Sequence, residues 1–524
     1  MNKLLTATAV LALTAGTAAA QDAAYTLHIL HINDLHSRIE PINAFDSTCS
    51  AEDDAAGECF GGVARIKTFI DGKRAELDGE NVIVLDAGDQ FQGSLMYTTY
   101  KGDVEAEMMN AIGFDAMAVG NHEFDDGPEQ LAEFAGEVEV PLVSGNLDLS
   151  QSNVLGDDQV ADHLVLEIGG ERIGIVSALA TDTSETSSPG PNVIFQDEID
   201  ALQADVDALT EMGVDKIIAL THVGLPKDRE IAEAVTGLDA IVGGHSHTLF
   251  SNTEEGAEAY PTEVNGVPIV QAYAYSKYVG HLTLEFDEEG NLISAEGDTN
   301  LLDASVEPDA EIAARIAELA GPIEELKSRV IGEATEAIEG SREVCRAGEC
   351  AMGNLVADAM LDRTADQGVT VAITNGGGLR ASIDSGEITM GEVLTVLPFQ
   401  NTLATFSASG QDLIDALENG VSQIEEGAGR FPQVAGMSFA FDASAEPGNR
   451  VSDVMVGGEP IDPEATYQVA TNNYVRNGGD GYSIFLDAED AYDFGPGLEV
   501  VVADYIADQG GSYTPYTDGR ITAK

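Results

Sequence analysis

The chain has 524 residues, which is too long for one ordinary domain and predicts two. Its 92 acidic residues, set against 24 lysines and arginines, give a formal net charge of −68. Nucleic-acid polymers and anionic membranes are bound by patches of lysine and arginine, so this charge balance argues against both as partners. We interpret it as a solvated acidic surface.

The first twenty residues have the layout of a secretory signal peptide. Residues 1–3 are a short basic start, an apolar run follows, and three alanines at 18–20 form a small-residue cleavage site before Gln21. An uncleaved membrane anchor is the alternative, which the short run rich in alanine and threonine disfavours. Later runs are too short to span a bilayer, so we expect a mature chain without a membrane anchor, periplasmic or secreted.

Four cysteines fit an exported protein. They allow three pairings, and their spacing as two close pairs favours the disulfides Cys49–Cys59 and Cys345–Cys350. A metal site at either pair is the competing interpretation. Neither pair has the C-x-x-C spacing or a nearby histidine, which weakens it.

The hydrophobic pattern divides the chain into segments. Strand-like apolar runs alternate with amphipathic helical stretches from Tyr25 to about Ala304, which is typical of an α/β domain. Between Glu307 and Val330, apolar residues recur at helical spacing and predict a connecting helix. The remainder again mixes strands and helices. We predict a signal peptide at 1–20, a first domain at 21–305, a linker helix at 306–330 and a second domain at 331–524.

Five of the nine histidines lie in polar clusters that directly follow strand-like runs. These runs are residues 27–30, 82–85, 116–119, 217–220 and 240–242. Ligand-binding groups in α/β proteins gather at the carboxyl ends of strands, so we expect the five clusters to converge. Together they supply seven candidate metal ligands: Asp34, His36, Asp89, Asn121, His222, His245 and His247.

This residue set suits two metal ions. Aspartate and histidine bind borderline divalent ions, and an aspartate, here Asp89, can bridge two ions about 3.5–4 Å apart. Two such ions that each keep room for water need about seven or eight protein ligands. A lone histidine is more often an ordinary residue than a ligand, so the prediction rests on the joint pattern. We expect zinc, with manganese, cobalt or iron as alternatives.

His122 has a different expected role. It follows the candidate ligand Asn121 and need not bind metal itself. Asp125 could accept a hydrogen bond from its ring and fix the tautomer, as a catalytic histidine requires. The alternative for Asp125 is a helix N-cap, since Asp-Gly-Pro follows it.

The motifs resemble two known domain families. The runs Asp-x-His at 34–36, Gly-Asp at 88–89, Gly-Asn-His-Glu at 120–123 and Gly-His-Ser-His at 244–247 resemble the ordered blocks of the metallophosphatase superfamily. Residues 375–380, 396–399, 474–482 and 345–354 resemble motifs of the C-terminal domain of 5′-nucleotidases. With both cysteine pairs, the resemblance covers essentially the whole mature chain and is closest to the animal ecto-5′-nucleotidase type.

The resemblance implies a fold and an activity. The expected fold is a four-layer metallophosphatase sandwich of mixed sheets flanked by helices, then a linker helix and an α/β 5′-nucleotidase domain. The expected reaction is the hydrolysis of nucleoside 5′-monophosphates, AMP foremost, by metal-activated water after the two domains close. The implied assembly is a monomer or a homodimer.

The resemblance also implies substrate contacts in the second domain. Two aromatic rings would stack on the base, and Tyr474 stands where the animal-type pattern has phenylalanine. The alternatives are core aromatics and tight glycine turns. The implied contacts are Phe399 and Tyr474 to the base faces, Asn375 to the base, Asp480 to the ribose hydroxyls, and Arg346 and Arg380 to phosphate or ribose oxygens.

Other functions stay open at this point. The same fold could hydrolyse UDP-sugars, 2′,3′-cyclic nucleotides or, in a related sulfur-oxidation enzyme, sulfur compounds. The paired aromatics argue against the sulfur role. A non-catalytic protein that scavenges nucleotides or metal is the alternative from another class, and a complete ligand set with the His122–Asp125 pair argues against it.

Overall fold

The protein is represented by a computed structural model that describes residues 23–43, 46, 49, 51–156, 158–397, 399, 401–486, 488–493 and 495–524. The predicted signal peptide at 1–20 lies outside the described residues. Among the described helices, none combines the length and the apolar character needed to cross a membrane.

The first half of the chain alternates strands and helices, as its hydrophobic pattern predicts. In chain order its elements are β1 (Tyr25–Ile32), α1 (Ala51–Ala56), α2 (Val63–Glu76), β2 (Asn81–Asp86), α3 (Leu95–Tyr100), α4 (Asp103–Ile112), β3 (Ala116–Ala118), α5 (Pro128–Glu137), β4 (Leu142–Val143), β5 (Leu147–Asp148), β6 (Val160–Ala161), β7 (His163–Ile168), β8 (Glu171–Val176), α6 (Thr183–Thr186), β9 (Ile194–Phe195), α7 (Glu198–Glu211), β10 (Lys216–Leu220), α8 (Leu225–Ala234), β11 (Ala240–Val242), β12 (Thr262–Val264), β13 (Val267–Val270), β14 (Tyr278–Phe286) and β15 (Leu292–Leu301).

Two mixed sheets form the centre of this half. One has seven strands in the order β15-β14-β1-β2-β3-β4-β6, and the other has six in the order β12-β13-β11-β10-β8-β7. β1 is parallel to β2 and antiparallel to β14, so the first sheet adds an antiparallel edge to a parallel centre. The six-stranded sheet is built in the same way, since β8, β10, β11 and β13 are parallel while β7 and β12 are antiparallel.

The helices and sheets of this half form four layers around two apolar cores. Leu27 and Ile29 of β1 face a core shared with Ile218 of the second sheet and Leu202 of α7. Leu30, on the opposite face of β1, belongs to a second core with residues of α2, α4 and α5. The order is therefore helices, sheet, sheet, helices, and the expected sandwich is confirmed.

A helix occupies the segment in which the linker is predicted. It is α9 (Ala310–Lys327), and its Ile316, Leu319 and Ile323 pack into the core beneath the seven-stranded sheet. Leu394 from the second half contacts the same core. The helix is thus held against the first half of the chain while it leads into the second.

The second half forms a separate α/β unit. Its elements are β16 (Val330–Ala334), α10 (Arg342–Cys345), α11 (Ala351–Arg363), β17 (Val371–Asn375), β18 (Gly386–Thr389), α12 (Met390–Val396), β19 (Leu403–Ser409), α13 (Gly410–Val421), β20 (Pro432–Ala435), β21 (Met437–Phe441), β22 (Val451–Val456), β23 (Glu459–Pro460), β24 (Thr466–Asn472), α14 (Asn473–Arg476), β25 (Glu489–Tyr492), α15 (Leu498–Asp508), β26 (Ser512–Tyr513) and β27 (Ile521–Ala523).

A five-stranded sheet in the order β20-β17-β24-β19-β25 is the centre of this unit. One face packs on a core with α11 and α15, and the other on a core with α13. Local sequence sets where helices start. Thr389 Oγ1 accepts from the N–H of Glu392 at 3.2 Å and Glu392 Oε2 accepts from the N–H of Thr389 at 2.8 Å, a capping box that begins α12.

Both predicted disulfides are present. The Cα atoms of Cys49 and Cys59 lie 5.8 Å apart, and those of Cys345 and Cys350 lie 5.1 Å apart. The competing interpretation of either pair as a metal site is therefore wrong in this fold.

Candidate functional site

The polar clusters that follow five strands meet at one edge of the first domain. β1, β2 and β3 are parallel neighbours in the seven-stranded sheet, and β10 and β11 are parallel neighbours in the six-stranded sheet. Each sheet therefore presents its clusters at the same carboxyl edge. Because the sheets pack face to face, the two sets come into contact. The seven candidate ligands brought together are Asp34, His36, Asp89, Asn121, His222, His245 and His247.

The donor atoms form two groups joined through Asp89. Within each group the ligand atoms lie within 4.8 Å of one another, and the groups are Asp34, His36 and His247, and Asp89, His222 and His245. A third set within the same limit joins His122 to His36 and Asp89. Asp89 Oδ2 lies 3.1 Å from His222 Nε2 and 3.7 Å from His36 Nε2. A carboxylate between imidazoles of both groups is the arrangement that a bridging ligand requires.

The remaining contacts extend both groups. His247 Nε2 lies 3.1 Å from Asp34 Oδ1 and 2.9 Å from His36 Nε2. Asn121 Oδ1 lies 2.9 Å from His245 Nδ1, which places the amide oxygen beside the second group. Buried imidazole nitrogens and carboxylate oxygens that converge in this way suit borderline divalent ions, so the residues present fit a pair of them.

Five of these side chains are carried on left-handed backbone. The φ angles are 51° at Asp34, 49° at His36, 60° at Asp89, 74° at His245 and 50° at His247. A non-glycine residue in this region costs of order 1–3 kcal/mol and persists only where the surrounding structure imposes it. Such residues concentrate at functional sites, which agrees with the convergence of donor atoms here.

The buried carboxylate of Glu123 imposes part of this conformation. It accepts backbone N–H groups from Gly120 at 2.7 Å, Asp89 at 3.1 Å and Gln90 at 2.8 Å. A Cβ at Gly120 would overlap Asp89 Oδ1, so only glycine leaves space for the carboxylate. Glu123 thus ties the loop after β2 to the loop after β3.

Backbone carbonyls fix the orientation of two histidine rings. His222 Nδ1 donates to Ala87 O at 2.6 Å, and His36 Nδ1 donates to Phe91 O at 3.3 Å. In each ring Nε2 is then the nitrogen that faces Asp89. A second hydrogen bond of this kind is what sets the tautomer of a metal-ligating histidine.

His122 is held by a chain of hydrogen bonds. Its Nδ1 donates to Asp125 Oδ2 at 2.6 Å, and Ser187 Oγ donates to Asp125 Oδ1 at 2.8 Å. Burial disfavours the charged ring, but the carboxylates of Asp125 and Asp89 outweigh burial and raise the pKa of His122 to about 9. The N-cap alternative for Asp125 is wrong, because Gly127 caps α5.

In the second domain, a cavity of about 690 Å³ collects the predicted substrate contacts. Asn375 Nδ2 donates to Asp480 Oδ2 at 2.7 Å, and Tyr474 OH donates to Asp480 Oδ1 at 3.2 Å. The Arg380 guanidinium lies 5.2 Å from the centre of the Phe399 ring. All six predicted residues line this cavity: Arg346, Asn375, Arg380, Phe399, Tyr474 and Asp480.

A second cavity, of about 590 Å³, connects the two domains. Phe399 and Tyr474 line it from one side, and His245 and His247 line it from the other. The two aromatic residues therefore border both cavities. The donor groups of the first domain and the aromatic pair of the second face a common space.

Sequence reasoning missed several residues of this site. Arg38 is buried, lies 5.1 Å from the centre of the Tyr275 ring, and lines the connecting cavity with it. Glu123 belongs to the Gly-Asn-His-Glu motif, but the sequence did not indicate its role in the site, and no sequence feature indicated Ser187. The Asp-x-His-Ser-Arg run could have indicated Arg38, because an arginine two residues after a ligand is close to the site.

Comparison with known proteins identifies the two halves. Residues 27–249 match the family model of the calcineurin-like phosphoesterases, and residues 330–487 match that of the 5′-nucleotidase C-terminal domain. The 5′-nucleotidase of Homo sapiens is 39% identical over 531 residues, which cover 95% of this chain and 91% of the human protein. The chain belongs to the 5′-nucleotidase family.

Two solved structures share the fold of this chain over nearly its whole length. A 5′-nucleotidase precursor from Thermus thermophilus is 39% identical, with 95% of this chain and 99% of that chain covered and a TM-score of 0.61. The NAD nucleotidase of Haemophilus influenzae is 27% identical, with 96% and 100% covered and a TM-score of 0.77.

Membership confirms the predicted enzyme class. The chain is a metal-dependent phosphoesterase, and 5′-nucleotidases act on small nucleotide substrates. The divalent ions that the family requires match the two donor groups around Asp89.

Proposed function

We propose that this chain is an exported 5′-nucleotidase that hydrolyses nucleoside 5′-monophosphates, AMP foremost, to nucleoside and phosphate. The supporting observation is the pair of adjoining cavities. One is lined by all six predicted nucleoside contacts, and the other leads from the same aromatic pair to His245 and His247. A ligand with an aromatic base at one end and a phosphate at the other matches this arrangement.

Stacking and hydrogen bonds would hold the nucleoside. A base between Phe399 and Tyr474 would gain about 1–3 kcal/mol from each ring. The Tyr474 hydroxyl, which the animal-type phenylalanine lacks, donates to the carboxylate of Asp480. It would orient that carboxylate toward the ribose hydroxyls, so we assign Tyr474 two roles.

The metal ligands would be the seven residues that converge around Asp89. Two divalent ions bound there would activate a water molecule and neutralise charge on the phosphoryl group. Zinc is the proposed metal, because histidines outnumber carboxylates among the donors and imidazole nitrogen suits zinc better than it suits magnesium or calcium.

His122 would act on the departing oxygen. Its Nδ1 is occupied by Asp125 at 2.6 Å, so Nε2 is the atom that would deliver a proton to the leaving nucleoside. Asp125 would keep the ring in the tautomer and orientation that this transfer needs, and Ser187 would orient Asp125 in turn.

Domain closure would bring nucleoside and phosphate sites into register. The Thermus relative is more similar in sequence than the Haemophilus one, yet its whole-chain TM-score is lower, 0.61 against 0.77. Such an inversion is expected when two similar domains are oriented differently. We place the hinge in or beside the segment 306–330.

Export is the last part of the proposal. Both disulfides belong to an oxidising compartment, and relatives include venom 5′-nucleotidases such as that of Naja atra. A cleavable signal at 1–20 would deliver the chain to the periplasm or the medium. The N-terminal residue of the secreted protein, determined directly, tests cleavage before Gln21.

The decisive test measures phosphate release and, by chromatography, the other products from AMP, ADP, UDP-glucose, 2′,3′-cyclic AMP and p-nitrophenyl phosphate, because UDP-glucose and the cyclic nucleotide are first cleaved without release of phosphate. The enzyme is stripped with chelator and resupplied with Zn²⁺, Mn²⁺ or Co²⁺. We expect strong, metal-dependent release from AMP and weak release from p-nitrophenyl phosphate. Equal rates on every ester would contradict the nucleoside pocket, and preference for UDP-glucose or the cyclic nucleotide would replace AMP as the substrate.

A further inference from the structure

A histidine pair lies on the outer part of the seven-stranded sheet, away from the site. His28 is on β1 and His281 on the neighbouring antiparallel strand β14. His28 is directly opposite Thr283, so His281 is its diagonal neighbour on the same face. Along β1, His28 precedes the ligand Asp34 by six residues, or about 20 Å.

The two rings present nitrogen atoms to each other. His28 Nδ1 lies 3.2 Å from His281 Nε2, and Thr283 Oγ1 lies 3.1 Å from the same His28 nitrogen. Two imidazole nitrogens on one tetrahedral zinc ion, with Zn–N of about 2.0–2.1 Å, are separated by about 3.3 Å. The two nitrogens share a hydrogen bond at a separation close to that of two ligands on one ion, so an ion would take the place of the shared proton.

Both rings are also in the state that a ligand needs. Burial, with His28 and Lys73 close by, lowers the pKa of His281 to about 4. Burial also lowers the pKa of His28, against the opposing effect of Glu80. Neutral imidazoles bind metal without first losing a proton.

The groove beside the pair is acidic, and Lys73 is the cation that lies close to both rings. His281 borders an open groove of about 460 Å³ that is also lined by Glu285, Glu296 and Asp298. Asp298 lies directly opposite His281 on β15. On the helix side, Lys73 is bound to Glu76 at 2.9 Å, so the nearest cation already has an acidic partner. A cation is therefore the ligand that this field attracts.

We propose that His28 and His281 bind a further divalent transition-metal ion, separate from the two-metal site, with water completing its coordination. Imidazole nitrogens select Zn²⁺, Cu²⁺ or Ni²⁺ over Mg²⁺ and Ca²⁺, which prefer oxygen. The acidic groove raises the local concentration of such ions and sets their path to the pair.

The test uses the full mature chain with its two-metal site loaded with zinc. Zn²⁺ is titrated calorimetrically into the wild type, His28→Ala and His281→Ala, and Cu²⁺ binding is followed by electron paramagnetic resonance. His163→Ala is the matched control, because His163 is a partly exposed histidine that contacts a carboxylate, Asp205, at 3.1 Å. Thermal melting of each protein reports folding, and His28→Asn and His281→Asn replace any alanine variant that melts early.

We expect the wild type and His163→Ala to take up one further equivalent of Zn²⁺, and copper there to show nitrogen coupling. Both His28 and His281 variants should lose that equivalent. The proposal is overturned if the wild type binds no further ion, if either folded variant retains it, or if the copper spectrum shows oxygen ligands alone. None of these readouts depends on the substrate, so failure of the proposed function would leave the result interpretable.

Discussion

Replacing His122 with alanine separates catalysis from metal binding. The ring donates to Asp125 at 2.6 Å and lies beside His36 and Asp89, where the proposed function has its Nε2 protonate the leaving oxygen. Loss of a positioned proton donor lowers turnover by about 10²–10⁴-fold, which corresponds to about 3–5 kcal/mol of transition-state stabilisation. The seven candidate ligands do not include this ring, so the proposal expects the metal content to stay at two ions.

The assay compares kcat for AMP with zinc content in the same samples. His36→Ala is the contrasting variant, because it removes a donor of the first group and should lose metal together with activity. His163→Ala, far from both groups, controls for the loss of any histidine. If His122→Ala loses zinc as well, then His122 is itself a ligand and its assignment as proton donor is refuted. Its closeness to His36 and Asp89 permits that outcome.

Four further results are expected. Phe399→Ala should raise KM for AMP about 5–150-fold, the equivalent of about 1–3 kcal/mol of stacking, and leave KM for p-nitrophenyl phosphate unchanged. Equal losses on both substrates would contradict a base contact. The Gln92 amide donates to Gly495 O at 3.1 Å across the two domains, so a short bismaleimide can link Gln92→Cys to Pro496→Cys there. This crosslink should abolish turnover by fixing the domains. Undiminished activity in a verified crosslinked sample would refute closure. The value of kcat/KM for AMP should rise as the salt concentration goes from low to moderate, because screening weakens the repulsion between nucleotides and a chain of net charge −68. A steady fall would show that the local field of the site dominates. Burial raises the pKa of Glu105 to about 7, so its folded form binds the proton more tightly and Glu105 contributes about 3 kcal/mol to the loss of stability as pH rises from about 4.5 to 7. In denaturation curves Glu105→Gln should reduce that loss by about this amount, while Glu107→Gln, exposed on the same helix, should leave it unchanged.

The sequence predicted that the candidate donor residues converge because their signal is local. Each cluster directly follows a buried strand, and parallel strands end at a common edge, so convergence within one sheet follows from the pattern. What the pattern does not contain is that three clusters belong to one sheet and two to another. Asp89 and His222 are joined only because the two sheets pack face to face, and that packing depends on side chains spread over the whole domain.

The second domain was predictable only through resemblance. Phe399 and Tyr474 have no local mark that separates a base-stacking ring from a core ring, and their exposure is a product of the fold. The same holds for Arg38, which meets Tyr275 across more than two hundred residues of sequence. A contact between distant segments leaves no periodicity for sequence reasoning to find.

The strained backbone at the ligands implies a dependence of the site on its scaffold. Five left-handed residues, at of order 1–3 kcal/mol each, together oppose folding by several kcal/mol unless other contacts offset them. The described contacts that do so are the N–H groups gathered by Glu123 and the carbonyls that accept from His36 and His222. These contacts are made within the first domain and position the donor atoms around Asp89. Under the proposed function, the first domain would hold the metal ions in a site that its own backbone shapes, and the proposed nucleoside contacts would move with the second domain.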